Sequence, residues 1–228
     1  MYVLILSIRL HAPATAPALL ARLDAASEGL PMIHSHLLQL AILARPLDPQ
    51  VIWRICFECE DDYQAMLLDP VWTAQVVPLL GGAGGVEVEQ IFYRRSLFAA
   101  PFPNICQGIW RTLIVAVKAG VAVAQRRQFE AEMQMMPSYI GTIRNWALNP
   151  VLSSKGSRSW SYVWEQDFDD VNGLLNEYRM HPIHFGLVDR WYDPEHPDHI
   201  LDARRLRLVC NAPESAIAPP RRSVQAQN

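Results

Sequence analysis

The sequence has few cysteines and only one closely spaced pair of them. Four cysteines in 228 residues, with no secretory signal before them, do not make a disulfide framework. Cys56 and Cys59 have C-x-x-C spacing, but a zinc site needs a second pair of ligands. The two also lie at the end of a predicted strand, where residues three apart point to opposite faces. We therefore expect them to be small, partly buried apolar residues.

The sequence also lacks long apolar runs and a positive charge excess. Arg, Lys, Pro or Gly interrupts each apolar stretch before it reaches the roughly 18–20 residues that span a bilayer. Residues 1–8 lack a basic n-region and are soon followed by Arg9 and His11, which favours a buried strand over a signal peptide. A net charge of −3 provides no field that attracts phosphate backbones. We expect a cytoplasmic protein that binds neither nucleic acid nor membrane.

One order of elements occurs twice along the chain. Each half begins with a β-branched, Leu-rich strand and an amphipathic helix, then has two strands, a helix with an acidic start that a proline interrupts, and a final strand. Strand, helix, strand, strand, helix, strand is the ferredoxin-like order. The predicted elements are 2–9, 15–29, 32–43, 51–59, a helix broken at Pro70 and 86–94 in the first half, and 111–118, 121–136, 138–148, 158–166, a helix broken at Pro182 and 200–210 in the second.

The repeat predicts an α+β protein in which tandem ferredoxin-like repeats form an intramolecular dimeric α+β barrel. Helices cover one face of each sheet, so the other face must be buried, and the second copy supplies the partner. We divide the chain into a first repeat (1–97), a linker (98–108), a second repeat (109–211) and a flexible tail (212–228). Whether the pseudo-dimeric chain pairs again as a homodimer is left open.

A motif in the second repeat carries a resemblance to a known family. Tyr178-Arg-Met-His181-Pro182-Ile-His184, a few residues after the strand that ends at Phe168, resembles the motif of the stress-responsive A/B barrel (Dabb) family. The resemblance covers about residues 109–211, and it implies the dimeric α+β barrel fold. It also implies chemistry similar to that of cofactor-free polyketide cyclases of the olivetolic acid cyclase type, with the tyrosine and histidine roles on Tyr178 and His184.

The chain departs from this pattern in two ways. Two pocket histidines of the cyclase type fall on Thr112 and Tyr162, which implies a different substrate. In the first repeat, alignment through Pro70 places Met66, Asp69 and Trp72 at the positions of Tyr178, His181 and His184. The first repeat therefore keeps the architecture and lacks the chemistry.

The motif predicts a cofactor-independent lyase or cyclase that acts on a small aromatic or polyketide-like carbonyl compound. His184 would remove a proton while Tyr178 hydrogen-bonds a carbonyl oxygen that gains charge, and His181 or Glu165 would orient His184. Near neutral pH a histidine can exchange protons, whereas a tyrosine remains a donor. An aromatic lining suits a flat substrate, and the predicted substrate-binding residues are Trp146, Trp160, Tyr162, Trp164 and Glu165.

Other functions stay open on the sequence alone. A non-catalytic, stress-related ligand-binding protein and a cofactor-free monooxygenase are the alternatives. Metal catalysis is disfavoured, because the His- and Asp-rich segment 192–199 is typical of a solvated loop with turn prolines. Arg190 could hold a substrate carboxylate, although the packing of Trp191 explains the pair more simply. His34 and His36 are expected to be surface or interface residues.

Overall fold

The first half of the chain forms one ferredoxin-like unit. The computed structural model describes residues 1–45, 48–81 and 85–219. In this unit the second helix is divided at Pro70, because proline cannot donate a backbone hydrogen bond, and a π-helical turn (Trp72–Val76) follows. The other bounds are β1 (Tyr2–Leu10), α1 (Ala16–Ser27), β2 (Ser35–Leu40), β3 (Val51–Phe57), α2 (Glu60–Leu68), α3 (Val77–Leu80) and β4 (Val86–Arg94).

The second half repeats this order after a short additional strand. The region of its second helix consists of the π-helical turns Gly173–Tyr178 and His184–Val188 on either side of Pro182, followed by a 3-10 turn (Asp189–Trp191). The remaining bounds are β5 (Leu97–Ala99), β6 (Cys106–Val117), α4 (Val123–Tyr139), β7 (Asn145–Lys155), β8 (Tyr162–Phe168) and β9 (Leu201–Glu214).

The strands of both units belong to one antiparallel sheet. Its order is β2-β3-β1-β4-β7-β8-β6-β9, with β5 also paired to β7. Each unit therefore has the same internal order, and β4 pairs with β7 between them. The Ile42 N–H donates a hydrogen bond of 2.8 Å to the carbonyl of Val209, which brings the two ends of the sheet together. The result is the α+β barrel, nearly closed, that the repeat predicts.

The core has three parts because the sheet buries both of its faces. Val51, Trp53, Ile55 and Phe57 of β3 face the helices of the first unit. Tyr162, Trp164 and Phe168 of β8 face the helices of the second unit. The third part fills the barrel between the two units, and it includes Val3, Ile5, Tyr93, Trp110, Ile114, Val163 and Cys210.

The two units share the register of their first and third strands. Tyr2 pairs with Phe57 and Leu4 with Ile55 in the first unit. Ile109 pairs with Phe168 and Arg111 with Gln166 in the second. Leu4 and Ile55 are thus the structural equivalents of Arg111 and Gln166.

Several predicted bounds differ from the structure. Helix α4 continues through Pro137 to Tyr139, although Pro137 cannot donate a backbone hydrogen bond. Strands β7 and β8 begin later than predicted and extend further. The predicted linker is partly ordered, since β5 pairs with β7 and β6 begins at Cys106. The predicted flexible tail is also partly ordered, because β9 runs to Glu214 and Ile217 is fully buried; the rest of it, from residue 220, lies outside the described residues.

Local details of the helix starts and cysteines follow from the same structure. Cys56 is buried and Cys59 is exposed, so the pair does not converge on an ion. Asp62 accepts a hydrogen bond of 3.1 Å from the Cys59 N–H, and Asp170 one of 2.9 Å from Gly173, which supports the expected acidic caps. Thr15 makes no side-chain cap and donates to the Ala12 carbonyl instead. In the described part of the chain, no helix is both long and apolar enough to cross a membrane.

Candidate functional site

Tyr178 and His184 lie in contact in the second unit, and we call this the Tyr178–His184 site. Their ring centroids are 4.9 Å apart, with an angle of 81° between the planes, so one ring edge meets the other ring's face. Tyr178 closes one π-helical turn and His184 opens the next, and Pro182 separates them. Such turns are frequent at functional sites because they displace side chains from regular helical positions. Tyr178 is only 2% exposed, and Phe168 packs on it from the sheet.

His184 has an available ring nitrogen. Its Nδ1 atom is buried and has no hydrogen-bond partner among the residues that the structure describes, although Asp189 Oδ1 lies 3.7 Å away. Burial and then the positive charges of Arg111 and Arg179 lower the pKa of His184 to about 4, and two further arginines of β9 add to this effect. The imidazole is therefore neutral at pH 7 and can accept a proton.

His181 was expected to join Tyr178 and His184 as a third residue of the site, but it makes a different contact. Its Nδ1 atom accepts a hydrogen bond of 3.2 Å from the Ile183 N–H, so it caps the short helical segment after Pro182. The side chain is partly exposed. A catalytic role for His181 remains a prediction.

The predicted binding residues are divided between the two faces of the sheet. Trp164 and Trp146 lie on the helix face, with ring centroids 5.7 Å apart. Tyr162 shares that face, but its hydroxyl donates a hydrogen bond of 2.8 Å to Glu130 of α4; burial and this bond raise the pKa of Tyr162. Trp160 precedes β8, so the strand alternation does not apply to it, and its Nε1 donates to Glu89.

Glu165 lies in the barrel interior and not beside His184. Successive side chains of a strand point to opposite faces of the sheet, so Glu165 points away from the helices that its neighbour Trp164 faces. The Glu165 carboxylate accepts hydrogen bonds from Arg54 and Tyr93 of the first unit. The expectation that Glu165 orients His184 is therefore wrong. Asp189 is the carboxylate in contact with His184. Thr112 likewise faces away, since its hydroxyl donates to the Trp164 carbonyl within the sheet and its strand neighbours Trp110 and Ile114 fill the barrel.

Several polar residues around the site are absent from the prediction. Arg111 is 4% exposed, its guanidinium carbon lies 5.1 Å from the centre of the Tyr178 ring, and it donates a short hydrogen bond to Gln166. Tyr192 lies under the guanidinium of Arg205, whose carbon is 5.3 Å from the ring centre; burial raises the pKa of Tyr192. An arginine at the start of the mostly apolar segment 111–118 is the sequence signal that could have identified Arg111.

Two other sets of residues, which the sequence marked as polar candidates, make structural contacts. Arg190 pairs with Glu132 and Asp198, and the Trp191 Nε1 donates to Glu132 at 2.9 Å, so both residues fasten the helical layer to α4. His34 pairs with Glu58, and His36 packs on Trp53. Within the residues that the structure describes, no three His, Cys, Asp or Glu side chains are grouped so that they could hold a metal ion.

Open clefts occur away from this pair of side chains. One of about 350 Å³ is formed by residues 101–105 with Arg144 and Asp169. Another of about 320 Å³ lies between α1 and α3 in the first unit. Neither includes Tyr178 or His184.

Comparison with known proteins agrees with this fold and locates the family. Residues 109–200 match the model of the stress responsive A/B barrel domain. The second unit, which carries Tyr178 and His184, is therefore a stress responsive A/B barrel domain. A search of curated proteins gave no match.

Solved structures resemble the whole two-unit chain. An anthrone oxidase-like protein superposes with a TM-score of 0.68 at 9% identity, with 92% of this chain and 90% of that protein covered. A candidate monooxygenase from Fusobacterium nucleatum subsp. nucleatum gives 0.59 at 8% identity and 96% coverage of both chains. A candidate monooxygenase from Lactobacillus acidophilus gives 0.56 at 10% identity and 92% coverage of both. At these identities the likeness establishes the fold alone.

Proposed function

We propose that the second unit is a cofactor-independent lyase or cyclase that acts on a small aromatic or polyketide-like carbonyl compound. The observation that carries this proposal is the contact between the Tyr178 phenol and the neutral His184 imidazole, whose Nδ1 atom is buried and unpartnered. A neutral base beside a hydroxyl donor is the arrangement that enolate chemistry needs. The family of the second unit and its barrel fold are consistent with a catalytic role.

The reaction begins with a proton transfer to His184. Its neutral imidazole accepts a proton from an activated C–H or O–H group of the substrate, and the electron pair of that bond delocalises into the adjacent carbonyl. Tyr178 donates a hydrogen bond to the carbonyl oxygen, which gains negative charge. The Asp189 carboxylate, 3.7 Å from Nδ1, stabilises the imidazolium that forms.

The second half of the reaction returns the proton. In a cyclase, the carbanion attacks a second carbonyl carbon of the same substrate, and the new alkoxide takes the proton from the imidazolium. In a lyase, the carbanion expels a leaving group that receives the proton. Either course restores neutral His184, and positioned acid–base catalysis of this kind contributes roughly 10²–10⁴-fold.

Because Tyr178 is buried, substrate access would require movement of the segment 179–187, which follows Tyr178 and contains His184. This segment is divided at Pro182, and it exposes large apolar side chains, with Met180 69% and Phe185 51% exposed. Trp164 and Trp146 provide the aromatic wall beneath it. A flat substrate would lie between this wall and the displaced segment.

A proton-exchange experiment tests the proposal without the natural substrate. The purified protein would be incubated in D₂O with an acetoacetyl thioester and with a series of polyketide-like ketones, and deuterium at the activated carbon would be measured by mass spectrometry. We expect exchange above the solvent rate that falls at least tenfold in Tyr178→Phe and His184→Gln. His34→Gln, a surface histidine of the first unit, is the matched control. Exchange that is unchanged in both folded site variants would overturn the proposal, and a complete lack of exchange and turnover would favour a ligand-binding protein.

Cofactor-free oxygenation is the second candidate. It is favoured by the names of the structural relatives, an anthrone oxidase-like protein and candidate monooxygenases, and it would start from the same proton transfer. The resulting phenolate or carbanion would then react with O₂. Oxygen uptake with anthrone-like phenols distinguishes this course from cyclisation or elimination, which consume none.

A further inference from the structure

We propose that the Tyr178–His184 site recognises a carboxylate on its substrate, with Arg111 at the base of the site and Arg205 and Arg207 at its mouth. This inference rests on the proposed function for the location of the site, and it adds the substrate class: small aromatic or polyketide-like acids in their anionic form.

The pairing of β6 with β9 places the arginines on one face. Arg111 pairs with Val209, Leu113 with Arg207 and Val115 with Arg205. Residues directly opposite each other on neighbouring strands point to the same side of a sheet. Arg205 and Arg207 therefore project on the side of Arg111, which is the side of Tyr178 and His184.

The three arginines differ in how far they are buried. Arg111 is buried, whereas Arg205 and Arg207 are exposed. Arg205 also lies over the Tyr192 ring. Exposed arginines at the mouth would attract an anion, and a buried one within the site would bind it with directed hydrogen bonds.

The positive charge of the site is poorly compensated by the protein. Arg111, Arg179, Arg207 and Arg205 all act on His184. Partial desolvation of the Arg207 side chain, and then the charges of Arg111 and Arg205, lower the pKa of Arg207 although the residue reaches the surface. The carboxylate that lies beside His184 is Asp189, whose side chain is 48% exposed. Like charges held together weaken the fold unless a ligand or counter-ion offsets them. A bound carboxylate would do so.

Unpartnered polar atoms mark where such a ligand would bind. Gln166 is fully buried, and its Oε1 accepts a hydrogen bond from Arg111, while its Nε2 atom has no partner within residues 1–45, 48–81 and 85–219. In the same described part of the chain, the Tyr192 hydroxyl, the Trp164 Nε1 and the His184 Nδ1 are also buried without a hydrogen-bond partner. Buried polar groups are normally hydrogen-bonded, so a cluster without partners points to a missing polar ligand or water.

The first unit shows that the fold does not need these polar residues. The register equates Arg111 with Leu4 and Gln166 with Ile55, both buried in an apolar core. The same scaffold therefore closes with an aliphatic pair at these positions. A buried Arg–Gln pair that costs desolvation and that the fold can replace by Leu and Ile is best explained by binding.

A binding experiment separates charge recognition from catalysis. Salicylate and its neutral counterpart salicylamide would be titrated into the protein, with calorimetry for affinity and the Trp164 indole N–H signal in NMR spectra for location. We expect salicylate to bind at least about tenfold more tightly, which is the scale of one charge-assisted hydrogen bond. Arg111→Leu should abolish this preference, and Arg207→Gln should weaken it. Arg127→Gln, an exposed arginine of α4, is the matched control.

Two further variants make the outcome decisive. The double variant Arg111→Leu/Gln166→Ile reproduces the pair of the first unit, so it should fold and still lack the preference. His184→Gln should retain salicylate binding even where proton exchange is lost. Equal affinity for salicylate and salicylamide, or a preference that survives in Arg111→Leu, would overturn the inference whatever the exchange assay shows. Inorganic phosphate as a third probe shows whether a planar carboxylate is required, and tighter binding of phosphate than of salicylate would also contradict it.

Discussion

Arg54 of the first unit donates a hydrogen bond of 2.6 Å to Glu165 of the second, inside the barrel where the two units meet. The two side chains are 3% and 0% exposed. Tyr93 donates to the other carboxylate oxygen at 2.7 Å, and the Trp110 Nε1 donates to the first at 3.2 Å. One carboxylate of the second unit thus accepts hydrogen bonds from two residues of the first. The network gives the otherwise apolar interface between the repeats a directional contact.

We expect the single variant Glu165→Leu to be strongly destabilised. It leaves the Arg54 guanidinium buried without a counter-charge, and breaking a buried pair in this way costs about 3–5 kcal/mol. The double variant Arg54→Met/Glu165→Leu should recover a large part of that loss, because it removes the stranded charge as well. Urea denaturation of the three proteins measures both effects. A double variant that is no more stable than Glu165→Leu would show that the charge pair is not the source of the loss.

The low pKa of His184 predicts a specific pH dependence of stability. The unfolded imidazole titrates near 6.5 and the folded one at about 4, so between these values the unfolded chain binds the extra proton. His184 therefore contributes stability above about pH 6.5 that is lost as the pH falls towards 4. Because burial raises the pKa of Asp167 to about 6, that residue contributes the opposite slope over part of the same range. The test is therefore the difference between wild type and His184→Gln.

The difference in the free energy of unfolding between wild type and His184→Gln should be largest at neutral pH and shrink in acid. NMR titration of the His184 ring, assigned by its loss in the variant, gives the pKa directly. If His184 is the base, kcat/KM should stay level from pH 7 down to about 5, and fall only near pH 4. A measured pKa close to 6.5 would contradict the electrostatic description of the site.

The repeat and its fold were predictable because they depend on local patterns. Alternating apolar residues such as Trp53 and Ile55 set the faces of strands, and Pro70 and Pro182 divide the same helix in each unit. Contact between Tyr178 and His184 was expected from the motif, but the structure reaches it through two π-helical turns on either side of Pro182 and not through one regular helical face. Bounds were less predictable where tertiary pairing extends a strand, as it does for β9 beyond Cys210.

The surroundings of the site were not predictable because they depend on strand register. A shift of one residue moves a strand side chain to the other face, and the sequence does not fix which face of β8 meets the helices. Glu165 consequently lies in the barrel and not beside His184. Arg111, Arg205 and Arg207 approach the site only through the pairing of β6 with β9, which joins positions about ninety residues apart.

The first unit should respond differently from the second to loss of the aligned side chain. Trp72 occupies the position of His184, is 3% exposed, and packs on Trp53 with ring centroids 6.0 Å apart. Trp72→Ala therefore leaves a cavity in the core and should cost about 3–5 kcal/mol. His184→Ala loses mainly the ring contacts with Tyr178 and Phe185, each worth about 0.5–1.5 kcal/mol. Thermal or urea denaturation compares the two, and a larger loss for His184→Ala would show that its role is structural.

The segment after β9 should stabilise the barrel, although its composition suggested a flexible tail. Ile217 is fully buried in the barrel core with Trp110 and Tyr93, and Arg95 of the inter-unit segment donates a hydrogen bond to its carbonyl. Ser215 stabilises the turn that contains Ile217, since the Ala218 N–H donates a hydrogen bond of 2.8 Å to the Ser215 hydroxyl.

Ile217→Ala should therefore reduce the free energy of unfolding by about 2–5 kcal/mol, which is the usual cost of such a deletion in a packed core. Glu214→Ala, at the exposed last residue of β9, is the control and should change stability by less than about 0.5 kcal/mol. Ile217 lies in the barrel core, on the face of the sheet opposite the helices of the second unit. Its loss should therefore leave salicylate binding at the Tyr178–His184 site unchanged in the folded protein. Equal stability of the two variants would mean that the segment does not pack in solution as it does in the structure.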